Sequence, residues 1–329
     1  MTSSERSLAR LAIVAGRSHP NFVARLCEQL QHPQSPARLR TFSDGAIEVK
    51  IEANVRGCDV FVVQSGHERP NDHVMELLFL IDAARRASAR SVTAVLPYFP
   101  YGKGDKKDEP RVSIRGRVVA DALKAAGAAR VLTMDLHAAQ LQGFFRVPVD
   151  NLYALPTLAA EIERRVGSGA ISAPVFVSPD AGRATLAREY QRRLGHLDAG
   201  AAVGDKVRPR HDEQSAVVAL MGDVRDRDAV LVDDIIFTGG TLCNMAEALL
   251  DAGARSVRAL ATHPLLTEDA PSRIARSPIA EQFVTDSVPI APEKRAQLGD
   301  RLRVASVCQL FAQAIGSVYE ETSISRLFD

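Results

Sequence analysis

The chain has 329 residues, of which 46% are hydrophobic, and its 41 lysine and arginine residues nearly balance 40 aspartate and glutamate residues. This length suits two domains of about 100–200 residues each, and a net charge of +1 argues against a general nucleic-acid or membrane-surface protein. Tryptophan is absent and only 5% of the residues are aromatic, so platforms for stacking nucleic-acid bases are sparse. The four cysteines form no C-x-x-C pair, and no segment resembles a signal peptide or a membrane span, which predicts a soluble cytoplasmic protein.

The first half of the chain alternates predicted strands and helices. In chain order, hydrophobic patterning predicts a strand over Leu11–Ala15, a helix from Asn21 to Gln31, strands over Ala46–Ala53 and Asp59–Gln64, a helix capped by Asn71, a strand over Val92–Leu96, and a helix capped by Ser113 and closed by Gly127. The polar stretch from Tyr98 to Val112 is predicted to be a long loop, and long loops in compact domains are usually functional.

The second half repeats this scheme. Its predicted strands cover Pro174–Val177, Ala229–Val232 and Val257–Ala261, and a helix is predicted after Ser306. Such alternation predicts an α/β fold with mainly parallel sheets flanked by helices. We place a domain boundary near Asp150, giving domains over 1–150 and 151–329, with a C-terminal helix that is able to pack against either one.

The most informative segment is Val230–Thr241, with the sequence VLVDDIIFTGGT. A short apolar strand is predicted to end at Asp233 and Asp234, and a glycine-rich turn then opens a helix. The helix face is predicted to consist of five apolar residues: Leu242, Met245, Ala246, Leu249 and Leu250. Backbone N–H groups at such a turn suit a phosphate, while the two carboxylates suit sugar hydroxyls. The segment therefore indicates a pentose-phosphate site, although an ordinary turn with surface acids is the alternative.

Two further predicted strands end in polar side chains. RVLTMDLH ends with Asp135 and His137, and FVSPDAG ends with Asp180. Because ligands bind beyond the carboxyl ends of strands in α/β sheets, His137 and Asp180 are candidates to hold a phosphate-bound Mg²⁺. Asp135 is as well suited to orienting His137 as to binding the metal. For His137, a satisfied polar side chain at a strand end remains the alternative.

Two loops are locally basic. Gly102–Arg117 holds six lysine or arginine residues against three acids, and Asp205–His211 places cations at alternate positions. The cations considered are Lys103, Lys106, Lys107 and Arg111 in the first loop, and Lys206, Arg208 and Arg210 in the second. Each loop alone is compatible with a solvated surface. Together with a phosphate-binding turn, they favour a polyphosphate ligand over nucleic acid.

An aromatic ring and a carboxylate lie close together in Phe42-Ser43-Asp44-Gly45. The ring of Phe42 is able to stack on a base, and Asp44 is able to accept a hydrogen bond from its amino group. A plain turn between two strands is the simpler interpretation of the same residues.

Taken in order, these motifs resemble those of the ribose-phosphate pyrophosphokinase family. The resemblance extends from FSDG at Phe42 to the terminal SISRLFD. It rests on RGCDVFVVQS, DHVMELLFLIDAARRASA, DKKDEPRVSI, MDLHAAQLQGFF, VSPDAG and VDDIIFTGGT.

The resemblance implies two phosphoribosyltransferase-like domains and Mg²⁺-dependent transfer of the diphosphoryl group of ATP to the C1 hydroxyl of ribose 5-phosphate. It implies a homo-oligomer, either a homodimer or a hexamer, in which Phe42 and Asp44 reach the adenine site of a neighbouring subunit. The implied catalytic residues are Lys206 and Arg208. The implied ATP-binding residues are Phe42, Asp44, Lys103, Lys106, Lys107, Asp108 and His137, with His137 and Asp180 serving the metal. The implied ribose 5-phosphate residues are Asp233, Asp234, Thr238, Gly239, Gly240 and Thr241.

The chain departs from the family pattern at several positions. Ala46 replaces a glutamate, Lys103-Gly104 replaces Arg-Gln, and Leu186 replaces a basic residue. Arg183 replaces a glycine in the turn after Asp180, and Phe237 replaces an acid of the pentose-phosphate loop. Two alternatives therefore stay open: a catalytically silent regulatory paralogue, and a phosphoribosyltransferase that consumes phosphoribosyl diphosphate.

Overall fold

The computed structural model describes residues 10–207 and 217–327, which divide into two units. The first unit comprises the described residues up to Tyr153, together with Ser287–Pro289 and those from Val307 onward. The second comprises Ala154–Asp286 and Ile290–Ser306.

The elements up to Tyr153 are parallel strands linked mainly by helices, with one β-hairpin after α1. They are β1 (Leu11–Ala15), α1 (Pro20–Leu30), β2 (Ala37–Thr41), β3 (Ile47–Ile51), β4 (Asp59–Val63), α2 (Pro70–Arg86), β5 (Ser91–Leu96), α3 (Arg115–Ala126), β6 (Arg130–Met134) and β7 (Val149–Leu152). Five strands form a parallel sheet in the order β1-β4-β5-β6-β7, and β2 and β3 form a separate antiparallel hairpin. The strands β1 and β4 are buried throughout, as continuous apolar strands covered on both faces should be.

The elements after Tyr153 include the strands of a larger sheet. They are α4 (Leu155–Gly167), β8 (Pro174–Ser178), α5 (Ala184–Arg193), β9 (Gly200–Val207), β10 (Val217–Met221), β11 (Asp228–Ile236), α6 (Gly240–Asp251), β12 (Ser256–Pro264), α7 (Ala270–Arg276), β13 (Ile279–Thr285), α8 (Pro292–Leu298), β14 (Leu302–Ala305) and α9 (Cys308–Tyr319). The seven strands follow the order β10-β9-β8-β11-β12-β13-β14. The pairs are parallel except that β10 runs antiparallel to β9.

The strand order of the second unit reverses between β8 and β11. From β8 the chain proceeds through α5 to β9 on one side, whereas from β11 it proceeds through α6 to β12 on the other. Open α/β sheets bind ligands in the crevice at such a reversal, beyond the carboxyl ends of the strands. The five-stranded sheet runs in one direction from β1 to β7 and has no reversal among its described strands.

The C-terminal helix α9 belongs to the first unit and packs on α1. The rings of Phe22 and Phe311 meet edge to face with centroids 5.6 Å apart, and the Cys308 Sγ donates to the Phe22 carbonyl at 3.7 Å. Both rings are almost fully buried. The predicted domains, 1–150 and 151–329, stay a prediction.

The predicted α/β class with mainly parallel sheets is confirmed, but two predicted helix caps are wrong. The helix α2 begins at Pro70, one residue before Asn71, because proline presets the backbone of a first helical position. The helix α3 begins at Arg115, beyond Ser113, with no side-chain cap hydrogen bond. Gly127 does end α3, in the left-handed conformation with φ of 114°.

No helix in the described parts of the chain combines the length and the apolar character that crossing a bilayer requires.

Candidate active site

The carboxylates of Asp233 and Asp234 lie inside β11 rather than at its end, so the predicted end of this strand is wrong. Pairing of β11 with β12 continues to Ile236, whereas its pairing with β8 stops at Leu231. The acid pair therefore lies just beyond the point where β8 and β11 separate. That point is the opening of the crevice at the reversal of strand order.

A turn after β8 brings a guanidinium to this acid pair. Asp180 begins a single 3-10 turn and accepts a hydrogen bond from the Arg183 backbone N–H at 3.2 Å. The Arg183 Nη2 donates to the Asp234 Oδ2 at 2.6 Å, and its Nε lies 3.8 Å from the Asp233 Oδ1. The side chains of Arg183 and Asp233 are each 20% exposed and that of Asp234 is 7% exposed, so this cluster is largely withdrawn from water.

Burial changes the protonation of the acid pair. Loss of solvent, with the hydrogen bond and negative charge of Asp234, raises the pKa of Asp233 to about 8. The Asp234 backbone N–H, which donates to the Asp233 Oδ1 at 2.8 Å, and the charge of Arg183 oppose this rise only in part. Two adjacent carboxylates thus face one guanidinium, and ionisation of both acids requires more positive charge or more hydrogen-bond donors.

The turn after β11 has the form expected of an anion site. Gly239 adopts a left-handed conformation with φ of 72°, and α6 begins at Gly240, so the first N–H groups of a 12-residue helix lie at the turn. A Cβ on Gly239 would lie 3.0 Å from the Ile274 Cγ1, so α7 leaves little space for a side chain there. The Arg273 Nη1 donates to the Thr238 carbonyl at 3.1 Å and fixes the turn from the same helix.

The helix α6 packs largely as predicted. Its buried residues are Leu242, Cys243, Met245, Ala246 and Leu249. Leu250 was predicted on this face but is 36% exposed, since it lies at the edge of the apolar stripe. Thr241, in the first turn, is exposed.

In the first unit, the basic loop and His137 are neighbours. The loop contains no regular strand or α-helix between Leu96 and Arg115, as predicted. A methyl group placed on Gly102 would lie 3.7 Å from the Cβ of half-buried His137. The predicted nucleotide-binding residues of the loop are all exposed: Lys103, Lys106, Lys107 and Asp108.

Gly104 is buried against Arg115. A Cβ at this position would lie 2.6 Å from the Arg115 Nε and 2.9 Å from its Cβ. The glutamine that the family pattern usually has at this position would therefore require Arg115 to move.

Phe42 and Asp44 form the turn of the β2–β3 hairpin. The Phe42 N–H donates to the Ala46 carbonyl at 2.8 Å, and the Asp44 Oδ1 accepts from the Ala46 N–H at 2.9 Å. Phe42 is 43% exposed, with the Arg40 guanidinium 4.5 Å from its ring centroid. The simpler interpretation, a turn between two strands, describes the local structure, and a role in adenine binding stays a prediction.

Of the two predicted catalytic residues, Lys206 lies within β9, so the basic stretch predicted as a loop begins as a strand. The backbone of Lys206 pairs with Val218 of β10, and Arg208 lies outside the described residues. Within residues 10–207 and 217–327, no group of three or more histidine, cysteine, aspartate or glutamate side chains could hold a metal ion.

Two cations at the acid pair and its turn were not predicted as site residues. Arg183 stood out in the sequence only as a departure, and its partner Asp234 lies 51 positions away. Arg273 carries no motif, so no sequence signal connected it with Thr238.

Comparison with known proteins agrees with this architecture. The N-terminal domain of ribose phosphate pyrophosphokinase matches residues 11–127, and the phosphoribosyl synthetase-associated domain matches residues 199–329. The solved structure of phosphoribosylpyrophosphate synthetase from Mycobacterium smegmatis is similar with a TM-score of 0.88 and 38% identity, covering 95% of this chain and 99% of that chain.

Full-length relatives are also similar. A ribose-phosphate pyrophosphokinase of Brucella melitensis biotype 1 is 46% identical over 319 residues, which is 97% of this chain and 100% of the relative. One of Agrobacterium fabrum is 45% identical with the same coverage. With this identity along nearly its whole length, the chain belongs to the ribose-phosphate pyrophosphokinase family of enzymes.

Proposed function

We propose that the protein transfers the diphosphoryl group of ATP to the C1 hydroxyl of ribose 5-phosphate, giving phosphoribosyl diphosphate and AMP. The observation that carries this proposal is that Asp233 and Asp234 are followed closely by the glycine turn at the start of α6. Both lie where the strand order of the sheet reverses. Carboxylates accept hydrogen bonds from a sugar diol, and the turn binds the 5-phosphate through Thr238, Gly239, Gly240 and Thr241.

In the proposed step, the C1 oxygen forms a bond to the β-phosphorus of ATP. The bond between that phosphorus and the oxygen bridging to the α-phosphate breaks, AMP leaves, and the C1 hydroxyl proton passes to solvent. Such transfers depend mainly on positioning and on stabilising negative charge. Cations are therefore more important than a strong base, and we assign that role to Lys206 and Arg208.

The donor nucleotide is assigned to residues of the first unit. The exposed lysines Lys103, Lys106 and Lys107 suit a polyphosphate chain, and His137 lies beside the same loop. Asp108 completes the predicted set. Phe42 and Asp44, exposed on the β2–β3 hairpin, are assigned to the adenine site of a neighbouring subunit in a homodimer or hexamer.

The side chains assigned to the metal suit a Mg²⁺ ion that binds together with the nucleotide. Mg²⁺ prefers oxygen ligands and usually keeps waters and substrate phosphates rather than an all-protein cage. Asp180 is exposed, and its Oδ1 accepts a hydrogen bond from the Arg183 backbone N–H. We assign Asp180 and His137 to the metal, which neutralises phosphate charge when bound.

A regulatory paralogue without activity is the second candidate. It is favoured by Arg183, which already holds Asp234, and by Phe237, which replaces an acid near the sugar. A phosphoribosyltransferase is not favoured by any contact among the described residues.

The function is tested by incubating the protein with ATP, Mg²⁺ and ribose 5-phosphate and measuring AMP. We expect AMP to form only when the sugar phosphate is present, in amounts equal to phosphoribosyl diphosphate. Binding of both substrates without AMP would favour the regulatory paralogue. Diphosphate release from added phosphoribosyl diphosphate and a base would indicate a phosphoribosyltransferase.

Lys206→Ala is expected to lower kcat by about 10²–10³, because it removes one cation that stabilises charge in the transition state. The KM for ribose 5-phosphate should change little, since this residue does not belong to the pentose site. Lys124→Ala, which removes an exposed cation in the last turn of α3, is the control and should retain full activity. An unchanged kcat in Lys206→Ala would remove this residue from the mechanism.

The acid pair also makes stability depend on pH. The folded protein holds the Asp233 proton up to a pKa of about 8, whereas the ordinary value is 3.8. The folded state thus binds more protons than the unfolded state between these values, so the free energy of unfolding falls as pH rises through this window. Asp233→Asn should remove the part of this decrease in the free energy of unfolding that comes from ionisation of Asp233.

Urea unfolding at about pH 6 and about pH 9 gives the free energy of unfolding at each pH. The decrease between the two pH values is then compared among the unmodified protein and the variants. Asp251→Asn, at an exposed position ending α6, is the control and should lose as much stability as the unmodified protein. An equal loss in Asp233→Asn would show that Asp233 is ionised throughout.

A further inference from the structure

Arg183 is a residue that the proposed function does not use. It stands at the first turn after β8, and its guanidinium reaches both members of the acid pair. The contact to the Asp234 Oδ2 is 2.6 Å long, which is the distance of a strong charge-assisted hydrogen bond. The family pattern has glycine at this position, and glycine has no side chain to make such a contact.

The contact engages the oxygens that a sugar diol would use. Hydroxyl donors of a sugar are neutral and form weaker hydrogen bonds to a carboxylate than a guanidinium does. The Asp234 side chain is only 7% exposed, so there is little room for a second donor beside Arg183. A sugar diol and Arg183 therefore compete for the same acceptor.

A second departure from the family pattern also makes the surroundings of the acid pair less negative. Phe237 replaces an acid on the pentose-phosphate loop, so the chain has lost a negative charge and gained a positive one around this site. The two carboxylates that remain are both in contact with a guanidinium of the protein itself.

We propose that Arg183 sets the affinity of the pentose site: it occupies Asp233 and Asp234 in the ligand-free protein, and a pentose phosphate binds only by displacing it. This inference rests on the proposed function, because it requires that the acid pair binds the sugar hydroxyls. Arg183 thus limits how tightly the acid pair binds a pentose phosphate. Its removal opens the site without removing any group assigned to bind the substrate.

The proposal is tested by calorimetric binding of ribose 5-phosphate, without nucleotide, to the full chain and to Arg183→Ala. We expect Arg183→Ala to bind about tenfold or more tightly than the unmodified protein, because a charge-assisted hydrogen bond no longer competes. Arg188→Ala removes an exposed cation from α5, the helix that begins directly after Arg183, and should bind like the unmodified protein.

Equal or weaker binding by Arg183→Ala would overturn the proposal while leaving the pentose site in place. An absence of binding in all three proteins would instead contradict the proposed function. These two failures are therefore distinguishable in one set of titrations.

A second measurement follows binding in the unmodified protein itself and uses a variant only to assign one signal. The Nε–H signal of Arg183 is assigned in a ¹⁵N NMR spectrum by its loss in Arg183→Lys, and is followed as ribose 5-phosphate is added. We expect this signal to shift on binding, while that of Arg258, whose Nε donates to the Glu281 Oε2 at 3.1 Å, stays in place. Ligand binding with an unchanged Arg183 signal would show that the guanidinium is not displaced.

Discussion

Two adjacent carboxylates in the interior of a central strand are the constraint on which the second unit depends. Asp233 and Asp234 are withdrawn from water by their position on β11, and burial makes ionisation of both costly. The pairing of β8 and β11 ends just before the acids, which leaves space beside them for a compensating charge. The opening that results admits side chains or ligands, and the turn after β8 delivers Arg183 to it.

The glycine turn depends on the same strand. Because β11 continues its pairing with β12 to Ile236, the chain leaves the sheet only then and turns at Gly239. The helix α7 fixes this turn through Arg273 and Ile274. Carboxylates and helix N–H groups thus follow one another on a single strand–turn–helix unit. That order suits a ligand with hydroxyls at one end and a phosphate at the other.

Elements specified by local sequence were predicted well. β1 matches its prediction from Leu11 to Ala15, and the long loop after β5 was expected from its polar composition. Elements that depend on distant partners were not. The extension of β11 through its acids comes from pairing with β12, whereas the local pattern predicts that the strand ends at these two charged residues. The contact between Arg183 and Asp234 joins residues 51 positions apart, so the sequence could mark Arg183 as unusual but could not show what it touches.

A crystal structure with bound ribose 5-phosphate is the sharpest test of whether a pentose phosphate binds on the segment joining β11 to α6. We expect phosphate oxygens within hydrogen-bond distance of the backbone N–H groups of residues 238–241, and sugar hydroxyls on Asp233 and Asp234. A sugar phosphate bound elsewhere, with the acid pair still held by Arg183, would show that this segment is not the pentose site.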